Sequence, residues 1–302
     1  MSEIRLFRTD SGLATELAGS NVALEKHLQS LMEKNLEAFL GVRFLASELV
    51  TSNGGRIDTL GIDENNAPVI IEYKRSRNEN VINQGLFYLD WLMDHKAQFT
   101  LLAMEILGSD IKDQIDWSSP RLICIAGDFT KYDGYAVQQM GRNIDLVRYN
   151  RYGEELLLLD FVAGASAARP SGSEMNPVSA TKKQTKTVAQ YLDDADETLT
   201  NLFNDLDARL NSQGDDVQRK ELKLYFAYRR LKNFACVEVK AASQRLQVYL
   251  KVDPDGIELI DGFTRDVRGI GHFGTGDLEV TITSIADLDR AEELFAASYN
   301  AS

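Results

Sequence analysis

Gly55-Arg-Ile-Asp-Thr-Leu-Gly-Ile-Asp-Glu-Asn-Asn-Ala-Pro-Val-Ile-Ile-Glu-Tyr-Lys-Arg75 reads as two apolar strands around a polar turn. Gly55 to Asp63 forms the first strand and Pro68 to Arg75 the second. Asp63 to Ala67 supplies turn chemistry, so the pair is expected to be an antiparallel hairpin. Asp58 lies on the first strand. Glu72 and Lys74 lie on the second, two residues apart and therefore on one face. Both strands are too apolar for an exposed edge, and a buried carboxylate is costly unless it meets a cation or an ion-pair partner. Two carboxylates on neighbouring strands suit Mg²⁺ or Mn²⁺, which take oxygen ligands. A lysine beside them could orient or deprotonate a water and stabilise phosphoryl charge. Spacing alone equally allows a plain Glu72–Lys74 ion pair. The triplet also recurs as Glu221-Leu-Lys223, expected mid-helix, and as Glu238-Val-Lys240, expected on a strand with no acidic strand just before it.

Outward from this hairpin the pattern alternates. Asn21 to Phe39 carries apolar residues at helical spacing, and Arg43 to Leu49 reads as a strand. Val81 to Met93 is predicted helical, with a second helix reaching Leu107. Arg121 to Ala126 is a short, wholly apolar run, the mark of a strand buried on both faces. A helix near Tyr135 and strands at Ile144–Tyr149 and Glu155–Val162 follow. Strands, then a helical crossover to a buried strand, predict an α/β domain with a mixed central sheet flanked by helices. Residues 164–182, small and polar with Pro170 and Pro177, are read as a linker between domains at 1–163 and 183–302. The short basic run Lys182, Lys183 and Lys186 after it reads as a solvated linker end. The second domain is predicted to be a smaller α+β unit. Its expected helices are Thr187–Leu210, Val217–Lys232 and Asp287–Tyr299. Its expected strands are Ala235–Val239, Leu246–Val252, Ile257–Ile260 and Leu278–Ile282. Arg219, Lys223 and Arg230 would make a basic stripe on the second helix, shared with Phe226. Gly269 to Gly276 lacks the order of a phosphate-binding loop and is read as a turn.

Composition bounds the function. The chain has 302 residues, 44% hydrophobic and 26% charged, which excludes wholesale disorder. Cys124 and Cys236 are too few for a disulfide framework, and with no signal-peptide core in the first twenty residues a reducing cytoplasm is expected. No run of eighteen apolar residues exists, so no membrane span or membrane partner is expected. The three histidines are scattered. A net charge of −13 argues against coating nucleic acid indiscriminately, so any phosphate contact must be local.

In order and gaps, Gly55-Arg-Ile-Asp58, Glu72-Tyr-Lys74 and Gln84-Gly-Leu-Phe-Tyr88 resemble the PD-(D/E)xK nuclease superfamily, in its branch of RecB-like and archaeal-type mismatch nucleases. The resemblance covers roughly residues 20 to 162 and implies a restriction-endonuclease-like fold. It implies metal ligation by Asp58, Glu72 and the Tyr73 carbonyl, with Lys74 positioning water. Gln84 and Tyr88, four apart on one helical face, would point into the same cleft. Arg56, Arg75 and Arg77 would meet phosphates. The family's helix acid matches Glu25 in Glu25-Lys-His-Leu-Gln29, with Glu33 and Glu37 expected to face solvent and Glu48 a further candidate. The second domain resembles DUF5655, an uncharacterised family sometimes carrying a "predicted transport protein" label.

Two readings follow. One is a Mg²⁺- or Mn²⁺-dependent nuclease acting on nucleic acid, DNA foremost, whose second domain selects substrate or mediates assembly, for example as a homodimer. The other is a non-catalytic nucleic-acid-binding or regulatory protein that kept the fold. Intact Asp58, Glu72 and Lys74 favour the first, and the acidity favours the second. The transport label finds no membrane-spanning feature to support it.

Overall fold

In the computed structural model, residues 4–9, 12–20, 25–74, 81–153, 155–165 and 186–302 are described. The chain divides into two units, residues 1–168 and 169–302. The linker expected at 164–182 lies mostly outside the described residues, although Gly164 and Ala165 end a strand.

The first unit opens with a small hairpin, β1 (Leu6–Arg8) and β2 (Thr15–Leu17), followed by β3 (Gly19–Ser20). Helices α1 (Glu25–Lys34) and α2 (Leu36–Leu40) replace the single helix expected over Asn21–Phe39. They part at Asn35, whose φ of −129° leaves the helical region; the expected start at 21–24 lies outside the described residues. Strands β4 (Val42–Val50), β5 (Arg56–Asp63) and β6 (Pro68–Lys74) form an antiparallel meander. Its second turn has the predicted chemistry: Asp63 Oδ1 accepts from the amides of Asn65 and Ala67, both at 2.9 Å. Then come α3 (Val81–Asp94), α4 (Lys96–Leu107), β7 (Arg121–Ala126), α5 (Lys131–Gln139), β8 (Asn143–Tyr152) and β9 (Leu156–Ala165). Strand order is β3-β8-β7-β6-β5-β4, with β9 also on β8. Pairs β6–β7 and β7–β8 are parallel and the rest antiparallel, so the sheet is mixed, as predicted.

Every residue of β7 is buried, which explains its unbroken apolar run. Arg121 at its start is tolerated because its Nε meets Asp145 at 2.6 Å on the next strand. Helix α3 buries Val81, Ile82, Gly85, Tyr88, Leu89 and Leu92, one stripe at helical spacing. It packs close. A Cβ at Gly85 would stand 2.4 Å from Leu122 Cδ1 on β7, so a larger residue would require the buried Leu122 side chain or the helix to shift.

The second unit holds α6 (Val188–Asp193), α7 (Glu197–Asn211), β10 (Gln218–Glu221), β11 (Phe226–Arg229), β12 (Asn233–Lys240), β13 (Arg245–Leu250), β14 (Thr264–Asp266), β15 (Leu278–Ile282) and α8 (Ile285–Asn300). Its sheet is wholly antiparallel, ordered β10-β11-β12-β13-β15-β14. Three sequence expectations fail here. Thr187–Leu210 is two helices, because Asp196 caps a new one by accepting from the Leu199 amide at 2.8 Å. Val217–Lys232 is a hairpin rather than a helix. Its aromatic residues serve both faces of a sheet: Phe226 and Tyr228 pack on the helices, while Tyr225, with Ala227, packs against Cys236 and Tyr249 on the other side. The basic stripe therefore does not exist. Arg219 pairs with Asp207 at 2.9 Å and Arg230 with Asp216 at 2.7 Å. Ile257–Ile260 is irregular, and the strand forms later, at β14. Residues 269–276 are a loop, as expected, with His272 stacked on Tyr249 and the Thr275 amide donating to Cys236 Sγ at 3.4 Å. Among the described residues no helix is long and apolar enough to cross a membrane.

Candidate active site

Register assembles the site. Thr59 pairs with Ile71, so Asp58 lies opposite Glu72 just past the last paired residues of β5 and β6. Ser47 and Leu49 pair with Thr59 and Ile57, which sets Glu48 beside Asp58 on the other flank. The two carboxylates are laced through the backbone. The Asp58 amide donates to Glu72 Oε1 at 3.2 Å, and the Tyr73 amide donates to Asp58 Oδ2 at 3.0 Å.

Glu72 is fully buried, and its Oε2 has no hydrogen-bond partner among the described residues. On its far side in the parallel register stands Cys124, whose thiol burial pushes well up and keeps neutral. Loss of water, and then the charge of Asp58, push the Glu72 carboxyl up to about 8; the Asp58 amide and Lys74 oppose this only in part.

Asp58 lines a cleft of about 420 Å³, whereas Glu72, fully buried beside it, is not among the lining residues. The cleft gathers Arg56, Asp58, Lys74, Gln84 and Tyr88 from β5, β6 and α3, all singled out from the sequence. Tyr88 is buried, and its hydroxyl accepts from the Arg56 amide at 3.1 Å and from Gln84 Nε2 at 3.3 Å. Both lone pairs are thus engaged, and the hydroxyl proton remains to be given. The tyrosine ring reaches this position only because residue 55 is glycine: a Cβ there would stand 2.3 Å from Tyr88 Cε1. Glu48 and Arg56 face each other across the rim at 2.7 Å, with Glu48 at φ 54°.

Other residues fall elsewhere. The Glu25 side chain lies outside the described part of the structure, as do Arg75 and Arg77. Glu37 is exposed, as expected. Glu33 is a correction: it is half-buried and accepts from Thr59 Oγ1 at 2.7 Å and Gln29 Nε2 at 3.0 Å, so it faces the sheet. Sequence reasoning passed over Lys26 and Gln29, which also line the cleft. Gln29 is nearly buried and donates to the Asp58 carbonyl at 2.9 Å. The signal was available: Gln29 and Glu33 follow the buried Leu28 and Met32 by one residue each, at the border of the apolar stripe.

As a metal site, the chain offers two adjacent carboxylates rather than a full cage. Among the described residues no three His, Cys, Asp or Glu side chains are arranged to hold an ion. The unsatisfied Glu72 oxygen nevertheless fits a hard cation, which keeps waters and takes few protein ligands in the case of Mg²⁺.

Residues 188–302 match the family described as a domain of unknown function, DUF5655. An "Uncharacterized protein" of Haemophilus influenzae (strain ATCC 51907 / DSM 11121 / KW20 / Rd) is 27% identical over 293 residues, covering 95% of this chain and 96% of that one. Among solved structures, one titled as an EndoMS-dsDNA2 complex is 23% identical at a TM-score of 0.29, over 42% of this chain and 46% of its own. A repair endonuclease from Pyrococcus abyssi is 19% identical at a TM-score of 0.29, over 43% of this chain and 50% of its own. The chain thus spans about half the length of these solved proteins.

Proposed function

We propose that the first unit is a Mg²⁺- or Mn²⁺-dependent nuclease that hydrolyses phosphodiester bonds of nucleic acid, DNA foremost. One observation carries the reading: Glu72 is a fully buried carboxyl group with an oxygen unsatisfied among the described residues, beside Asp58, which lines a cleft together with Lys74. Burying that charge is tolerable if a cation completes it. Asp58, Glu72 and the Tyr73 carbonyl would hold the ion, which when bound would supply positive charge to the phosphoryl oxygens.

The chain's own groups do the rest. Lys74 orients the attacking water and stabilises the charge that develops on the phosphoryl group. Tyr88, its lone pairs engaged by Arg56 and Gln84, meets a phosphate oxygen as a donor. Gln29 holds the β5 backbone at Asp58. Arg56, tethered to Glu48 at the rim, is placed to exchange that partner for a phosphate. The second unit is assigned substrate selection or assembly. A non-catalytic binding role is the second reading, favoured by the net charge of −13.

The test is a panel of single-stranded, duplex, branched and mismatched DNA and RNA, assayed with Mg²⁺ and Mn²⁺ alongside calorimetric titration of Mn²⁺. Metal-dependent cleavage that Asp58→Asn abolishes is the expected result. Mn²⁺ binding without cleavage of any substrate would favour the second reading, and absence of both would remove the metal site.

A further inference from the structure

We infer that Glu33 is a positioning residue that gauges the separation of the two carboxylates from the opposite side of the sheet. The inference rests on the reading of Asp58 and Glu72 as the working pair. Thr59 directly follows Asp58, and Tyr73 directly follows Glu72. Strand alternation therefore turns Thr59 and Tyr73 to the face opposite Asp58 and Glu72, toward α1. Both are fully buried there, and both belong to one hydrogen-bonded chain.

Thr59 Oγ1 lies 2.7 Å from Glu33 Oε1 and 3.4 Å from the Tyr73 hydroxyl. A threonine hydroxyl has one proton, and the carboxylate can only accept it. Tyr73 is then the donor to Thr59. A tyrosine hydroxyl, which ordinarily titrates at about 10, carries its proton at neutral pH. The order is Tyr73 to Thr59 to Glu33, and it ties β6 to β5 and both to α1. Gln29 closes the arrangement. Its Nε2 lies 3.0 Å from Glu33 Oε1, 3.2 Å from Ser47 Oγ and 2.9 Å from the Asp58 carbonyl, so it engages β4 and β5 as well.

Glu33 is thus the common acceptor for a strand hydroxyl and a helix amide, one pleat behind the pair it governs. Fixing Thr59 and Tyr73 fixes the direction of the preceding residue on each strand. On the cleft side the result is visible as the reciprocal amide–carboxylate contacts between Asp58 and Glu72–Tyr73. Partners that orient ligands in this way typically change metal affinity or activity by about 10–100-fold when removed.

The experiment compares Thr59→Val, Glu33→Ala and Glu33→Gln with the wild-type chain. The first reading needs no metal: hydrogen exchange of the Asp58 and Tyr73 amides, each bonded to the other strand's carboxylate. Exchange at these two amides should rise about tenfold in Thr59→Val and Glu33→Ala, with Ile57 and Ile71 little changed. Glu33→Gln, which keeps the acceptor oxygen, should restore it. Mn²⁺ affinity by calorimetry should fall about tenfold in the first two variants and recover in the third. Wild-type exchange at both amides in Thr59→Val would overturn the inference, as would a Glu33→Gln variant no better than Glu33→Ala. Absence of cleavage by the wild-type chain bears on the nuclease reading alone, since the exchange measurement stands without it.

Discussion

Glu72 and Glu238 are both buried on inner strands, each two residues ahead of a lysine, yet the two sheets treat them differently. In the second unit Lys240 bonds Glu238 directly, its neighbour on the adjacent strand is the uncharged Gln247, and the buried Glu279 two strands away meets Arg265 at 2.8 Å. The charges there are closed within the protein. In the first unit Glu72 has Asp58 for a neighbour, keeps an unbonded oxygen and is pushed up to about 8. A Glu-x-Lys triplet is therefore neutral scaffolding or an unfinished site according to what the adjacent strand carries. Asp58 makes the difference.

The largest effect expected from breaking this comparison is catalytic. Lys74→Met should lower metal-dependent cleavage by about 10²–10⁴-fold while melting close to wild type in saturating Mg²⁺. A melt far below wild type in metal, or a wild-type rate, would return Lys74 to the role that Lys240 has.

The next effect is a pH dependence of stability. The Glu72 carboxyl is raised from 4.5 to about 8 in the folded chain, so between those values the folded state keeps a proton that the unfolded state has lost. Stability contributed by this group is complete below pH 4.5 and is lost as pH rises through 8. The loss is about 1.4 kcal/mol per pH unit and at most about 5 kcal/mol. Urea titrations of the metal-free protein from pH 5 to 9 should show that slope for wild type and lack it for Glu72→Gln. Mn²⁺ should flatten it. A slope that survives Glu72→Gln assigns it to another group.

A smaller change tests the helix side of the cleft. Gly55→Ala should force the Tyr88 ring off the turn, at about 1–3 kcal/mol, and weaken substrate binding with it. Thermal melts and KM measure the two consequences separately. Smallest of all, Glu238→Gln should change stability by less than about 1 kcal/mol, because Lys240 is partly solvated, and leave cleavage as it was. A loss of activity there would place the second unit in the chemistry.

The first unit was largely legible because its elements announce themselves in the chain. The turn at Asp63–Ala67, the unbroken run of β7 and the α3 stripe each rest on local chemistry, while Gln84 and Tyr88, which line one cleft with Asp58 and Lys74, were marked by the motif resemblance rather than by spacing. Glu33 was misread because a residue one position off an apolar stripe can turn either way, and the buried Thr59 hydroxyl decides it. In the second unit the hairpin at Gln218–Arg229 was hidden by charged residues that suit a helix equally well. Asp207 and Asp216, lying outside that segment, take up Arg219 and Arg230. Tertiary partners of that kind leave no periodic trace.

Gly85 carries a consequence for the cleft, whose sheet wall and α3 wall are mounted separately. Asp58 and Lys74 are fixed to the sheet, while Gln84 and Tyr88 ride on α3. The distance between those mounts is gauged by a methyl group that residue 85 does not have, where the helix rests on Leu122. A side chain at this point would act as a shim. Where the buried Leu122 side chain does not give way, it would lift the helix wall and draw Tyr88 away from Arg56, yet leave the carboxylates where they were. The reagents and the groups that grip the substrate could thus lose alignment through a residue that touches neither.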